Sequence, residues 1–117
     1  MPNDDERLKN FTPRNAEILL ETKAVLTEEV HDKGFAFIGP GAERRFKLNR
    51  IRFNNIISWL REDGFVTFIL ELVKPETEDS EMILVKVLAP EGTTYQEAWH
   101  QRDKILKLWS DAQRIAS

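Results

Sequence analysis

The sequence predicts a mainly β domain followed by a C-terminal helix, and three stretches carry that expectation. "FVTFILELV" (65–73) and "MILVKVL" (82–88) are dense in β-branched and aromatic residues, as strands are, and the charged "KPETEDSE" between them predicts a hairpin turn. "GFAFIG" (34–39) is apolar on both faces of a strand and is bounded by glycine. In "YQEAWHQRDKILKLWSDAQRIA", Tyr95, Trp99, Leu106, Trp109 and Ala116 lie close to one helical stripe, which Ile105 and Ala112 widen.

The remaining segments follow in chain order. Residues 1–15 are polar, with Pro2 and Pro13, and suggest a mobile tail. Residues 16–33 support two readings. Ile18, Leu19, Thr22, Val25, Leu26, Glu29 and Val30 trace a helical face, with Thr12 as a cap, Pro13 at the first position and Gly34 as a stop. The β-branched residues of 17–27 also suit a strand, with Ile18, Leu20 and Leu26 inward. Pro40-Gly41 signals a turn. "RRFKLNRI" (44–51) alternates, which predicts a strand with Phe46 and Leu48 on one face and Arg45, Lys47 and Asn49 on the other. "NNIISWLRED" (54–63) predicts a short helix with asparagine at its start and Gly64 past its end. Thr93 or Thr94 can cap the final helix.

A chain of 117 residues with 41% hydrophobic composition can bury one core, and one domain is expected. With no cysteine there is neither a disulfide framework nor a thiolate metal site. No apolar run approaches a bilayer span, and "MPNDDERLKN" lacks a signal peptide's apolar segment, so no membrane association and a cytoplasmic location are expected.

"KGFAFIGP" resembles the first ribonucleoprotein motif of the cold-shock domain, Lys-Gly-Phe-Gly-Phe-Ile, with Lys33, Gly34, Phe35, Phe37 and Ile38 matching and Ala36 in place of a glycine. "RRFKLNRI" stands where the second motif would be, and "SEMILVKVLAPEG" is similar to the closing strand and Pro-Gly end. The resemblance implies a five-stranded antiparallel barrel of the oligonucleotide/oligosaccharide-binding (OB) type over residues 16–92, with 1–15 as a tail and 93–117 as an appended helix. It also implies binding of single-stranded RNA or DNA, with Phe35, Phe37 and Phe46 stacking on bases. The chain departs from the family pattern in two places. "EEVHD" supplies no aromatic before the first motif, and the second has no histidine. Its alternation is also inverted, because burying Arg45 and Lys47 unpaired is too costly.

Physical chemistry gives the same partner class independently. Aromatic faces stack on any base, and a basic groove follows phosphates. Lys33, Arg44, Arg45, Lys47, Arg50 and Arg52 accompany the phenylalanines within twenty residues. The alternative for each feature is structural: two rings at strand spacing also suit a core, and a basic run also suits a solvated face. Glu76, Glu78, Asp79 and Glu81 suit a solvated turn.

Catalysis is not expected. There is no Gly-rich phosphate loop, nucleophile elbow or zinc motif, and His31 and His100 have no ligand-spaced companions, so neither metal nor cofactor is implied. A second functional reading is a protein-interaction or assembly module, in which Trp99 and Trp109 on the final helix dock on a partner or a second copy. A third arrangement keeps residues 12–32 helical, giving an α+β fold that resembles a winged helix: "NNIISWLREDG" closes the helical part and the hairpin 65–88 is the wing.

Overall fold

The signals flanking residues 13–33 decide the architecture. In the computed structural model, which describes residues 4–74 and 81–116, helix α2 runs Pro13–Lys33. The Thr12 side chain accepts from the Asn15 N–H at 3.3 Å, Pro13 stands in the first turn, and Gly34 ends the helix at φ +85°, its N–H donating to the Val30 carbonyl. Leu19, Thr22, Leu26 and Val30 are buried along one face. Thr22 is admitted there because its hydroxyl donates to the Ile18 carbonyl at 2.9 Å. A strand over 17–27 is therefore not formed.

Strand β1, Ala36–Gly39, follows at once and is buried throughout. The expected strand over 44–51 is instead a 3-10 helix, Ala42–Phe46, that ends at Lys47 with φ 56°. Asn49 then caps α3, Arg50–Glu62, by accepting from the Arg52 N–H at 2.8 Å. A cap costs less to satisfy locally than a strand does, since a strand needs a partner edge to pair its backbone groups. Phe46 and Leu48 still turn inward, half-buried against the core. Phe53, Ile56 and Leu60 bury one side of α3.

β2, Val66–Val73, and β3, Met82–Ala89, form the hairpin, and the sheet is open, with three antiparallel strands in the order β1-β3-β2. The mainly β, five-stranded OB barrel is thus overturned among the described residues. The segment that would open the barrel is a helix, and the one that would carry its second motif is a 3-10 turn leading into another helix. The order helix, strand, short helix, helix, hairpin is that of an α+β fold with a helix where the barrel's first strand was expected. The acidic residues Glu76, Glu78 and Asp79 of the hairpin turn lie outside the described residues. The final helix is split at Gln101 into α4, Tyr95–His100, capped by Thr94, and α5, Arg102–Ala116. Ala98 and Ile105 carry these helices onto the core.

The segment expected to be a mobile tail contains a short helix, α1, Asp4–Leu8. Leu8 is buried, and the Arg7 side chain, only 4% exposed, donates to Asp63 at 2.9 and 3.3 Å, to Glu62 at 3.1 Å, to Asp4 at 3.0 Å and to the Trp59 carbonyl at 3.4 Å. Lys23 joins from α2, reaching Asp4 and Asp63 at 2.9 Å. One buried guanidinium therefore ties α1 and α2 to the end of α3. Its hydrogen bonds hold the Asp63 carboxyl below the usual carboxylate range, against burial and with help from Lys23. Lys23 is partly desolvated, yet its bonds to Asp4 and Asp63 raise it above the ordinary lysine value.

A carboxyl with a folded pKa below its unfolded one adds stability that is complete above about pH 4 and is lost as pH falls through the folded value. Asp63→Asn should therefore cost about 1–3 kcal/mol at neutral pH. In urea denaturation, the gap between wild type and variant should narrow as pH drops below about 4. A gap that is the same at neutral and acid pH would show that the ion cluster is not what holds this corner.

Candidate nucleic-acid interface

Burying Phe53, Ile56 and Leu60 turns the opposite side of α3 to solvent. Ile51, Asn54, Asn55 and Ser58 are exposed at three- and four-residue spacing, with Arg50 at the helix start and Arg61 and Glu62 at its end. The stripe combines two amides, a hydroxyl and flanking guanidinium groups. Ile51 is 75% exposed, an unusual place for a large apolar side chain on an otherwise polar face. Between residues 42 and 61 there are six cations and one acid, Glu43. The excess of negative charge in the whole chain therefore lies elsewhere.

The turn before α3 adds to this face. Arg44 and Lys47 are exposed and have no ion-pair partner among the described residues. Arg50 lies 3.7 Å from Glu43, a loose pairing between an exposed guanidinium and a largely buried carboxylate. Arg45 is more constrained, since it pairs with Glu29 of α2 and its guanidinium sits 5.1 Å from the Phe46 ring centre. Lys47 and Arg52 line a groove of about 480 Å³ between α2 and the start of α3, with Asn15 and Glu21 on its far side.

The residues expected to bind single strands separate into two groups. Phe35 and Phe37 are each 7% exposed and belong to the core, so they offer no ring face to a base. This follows from β1 being covered on both sides. Phe46 is stacked on Phe53, centroids 6.0 Å apart, and is half-buried. Lys33 stands at the end of α2, where it lines a separate groove with His100 and Lys104. Arg44, Arg45, Lys47, Arg50 and Arg52 do gather, around the 3-10 turn and the first turn of α3 instead of along a strand. Of the two tryptophans in the C-terminal helices, Trp109 packs half-buried against the core, whereas Trp99 is 38% exposed with the Arg102 guanidinium 5.0 Å from its ring.

Ile51, Asn54, Asn55, Ser58 and Arg61 are not singled out by sequence reasoning. Their signal is present all the same: buried positions 53, 56 and 60 leave 51, 54, 55 and 58 on the other side of a helix. Placing the helix start at 54 instead of 50 conceals it.

Among the described residues no group of three or more His, Asp or Glu could hold a metal ion, and no helix is long and apolar enough to cross a membrane. Compared with known proteins, the chain matches no family model, no curated protein and no solved structure.

Because Phe35 and Phe37 are core residues, alanine at either should destabilise the fold by about 3–5 kcal/mol in urea denaturation. A cost well below about 1 kcal/mol would mean that the rings are not sealed in.

Proposed function

We propose that the chain binds nucleic acid through α3, with the helix lying in the major groove of a DNA duplex. The observation that carries this reading is the exposed stripe Arg50, Ile51, Asn54, Asn55 and Ser58, set on a helix whose other side is locked into the core. A major groove admits one α-helix, and base edges there are read by a small set of side chains. Asparagine pairs with the two Hoogsteen-edge atoms of adenine, arginine with those of guanine, and an apolar group packs on the thymine methyl. The stripe contains each of these types. With 13 residues α3 is about 20 Å long, enough to follow the groove for several base pairs.

Arg44 and Lys47, on the turn entering the helix, supply phosphate contacts that fix the register. Phe35 and Phe37 are buried and offer no ring face for stacking on single-stranded bases.

Fluorescence anisotropy with short labelled duplexes and single strands tests the proposal. Duplex binding should weaken steeply between about 50 and 200 mM salt. Arg44→Ala with Lys47→Ala should weaken all duplexes alike and flatten the salt slope by about 1 for each phosphate no longer neutralised. Asn54→Ala with Asn55→Ala should instead reduce discrimination between sequences, by about 1–3 kcal/mol for each base edge no longer read. No duplex binding at low salt, or binding that is insensitive to both pairs of substitutions, would refute it.

A further inference from the structure

The hairpin has a second face that the core does not use. β2 and β3 turn Leu70, Leu72, Val85 and Val87 inward. The outer face carries Ile69, Glu71 and Val73 on β2 and Met82, Leu84 and Lys86 on β3. The register sets Ile69 opposite Lys86, Glu71 opposite Leu84, and Val73 opposite Met82. Ile69 is 55% exposed, Val73 51%, Met82 49% and Leu84 59%. Four large apolar side chains thus adjoin one another in solvent, on a ribbon whose β2 side is the free edge of the sheet. A contiguous exposed apolar surface of this kind marks an interaction site.

The charges on this face indicate its partner. It holds one acid, Glu71, and one base, Lys86, both exposed and neither with an ion-pair partner among the described residues. The Lys74–Glu81 pair borders it toward the turn. A nucleic acid or an anionic membrane would select cations alone. A symmetric dimer makes a different demand: one patch must be its own complement, apolar on apolar and acid on base.

We propose that a second copy of this chain docks here, the two hairpins packing face to face with Glu71 of each copy against Lys86 of the other. Glu71 and Lys86 occupy one diagonal of the quartet Ile69, Glu71, Leu84, Lys86. A two-fold axis lying between the faces and perpendicular to that diagonal exchanges acid and base. It also brings Ile69 and Leu84 each near its own counterpart. The patch is small beside standard interfaces of roughly 20–30 residues a side, so the dimer is weak and concentration-dependent. It involves neither Trp99 nor Trp109, and it stands whether or not α3 binds DNA.

Sedimentation equilibrium of the full chain over a wide concentration range reads this out, with circular dichroism confirming that each variant is folded. Wild type should shift from monomer to dimer. Glu71→Lys and Lys86→Glu should each weaken self-association about tenfold or more, because like charges then meet twice across the axis. Mixing the two single variants should restore association, since each copy now supplies what the other lacks, and the double swap in one chain should restore it too. A wild type that stays monomeric throughout, single swaps that leave the association unchanged, or a mixture that fails to recover it would each overturn the proposal.

Discussion

The structure depends on one constraint: β1 is a sheet-edge strand that must be buried on every side. All four of its residues are buried, together with Phe35 just before them. Strand β3 pairs only one of its edges. The rest of its surface has to be covered by helices, and α2, the 3-10 turn and α5 all pack on it. Fully burying a phenylalanine is favourable by about 1.5–3 kcal/mol, so Phe35 and Phe37 together draw the helices in. With α2 packed against both this strand and α3, α3 buries only the stripe Phe53, Ile56 and Leu60, and its outward side is free to be polar.

That division also makes α3 a rigid platform. Asn49 caps its first turn, Phe53, Ile56 and Leu60 hold its middle, and the Arg7 guanidinium clamps Glu62 and Asp63 at its end. A side chain that reads a base edge has to be placed to within a fraction of an ångström, and sites on supported helices achieve this better than sites on loops. The chain's charge is arranged to match. Asp4, Asp5 and Glu6 lie on α1, where Arg7 and Lys23 neutralise Asp4, and five more acids lie on α2, while the 3-10 turn and α3 carry more cations than acids.

Local signals in the sequence are dependable. Thr12, Pro13 and Gly34 delimit α2, Thr94 begins α4, and the hairpin strands fall within a residue or so of their expected bounds. The barrel rests on a short string, "KGFAFI", whose residues serve another purpose: Gly34 adopts φ +85° to end a helix, and the phenylalanines fill a core. The alternation over 44–51 spans too few residues to distinguish a strand from a turn plus a capped helix, and it hides Asn49 as a cap. Arg7 cannot be placed from sequence, because Asp63, its principal partner, lies 56 positions away and only the folded chain brings them together. The basic cluster is visible by composition, but the amide stripe beside it is not, because its meaning depends on which side of α3 is buried.

If the solvent side of α3 and the 3-10 turn that enters it meet the ligand, a titration with a DNA duplex should mark those two segments alone. Mapping backbone and asparagine side-chain amide shifts of isotope-labelled protein during such a titration addresses this most directly. Shifts should concentrate at Arg44, Lys47 and the exposed positions of α3, including the side-chain amides of Asn54 and Asn55. Shifts confined to the hairpin or to α5, with α3 unmoved by saturating duplex, would contradict it.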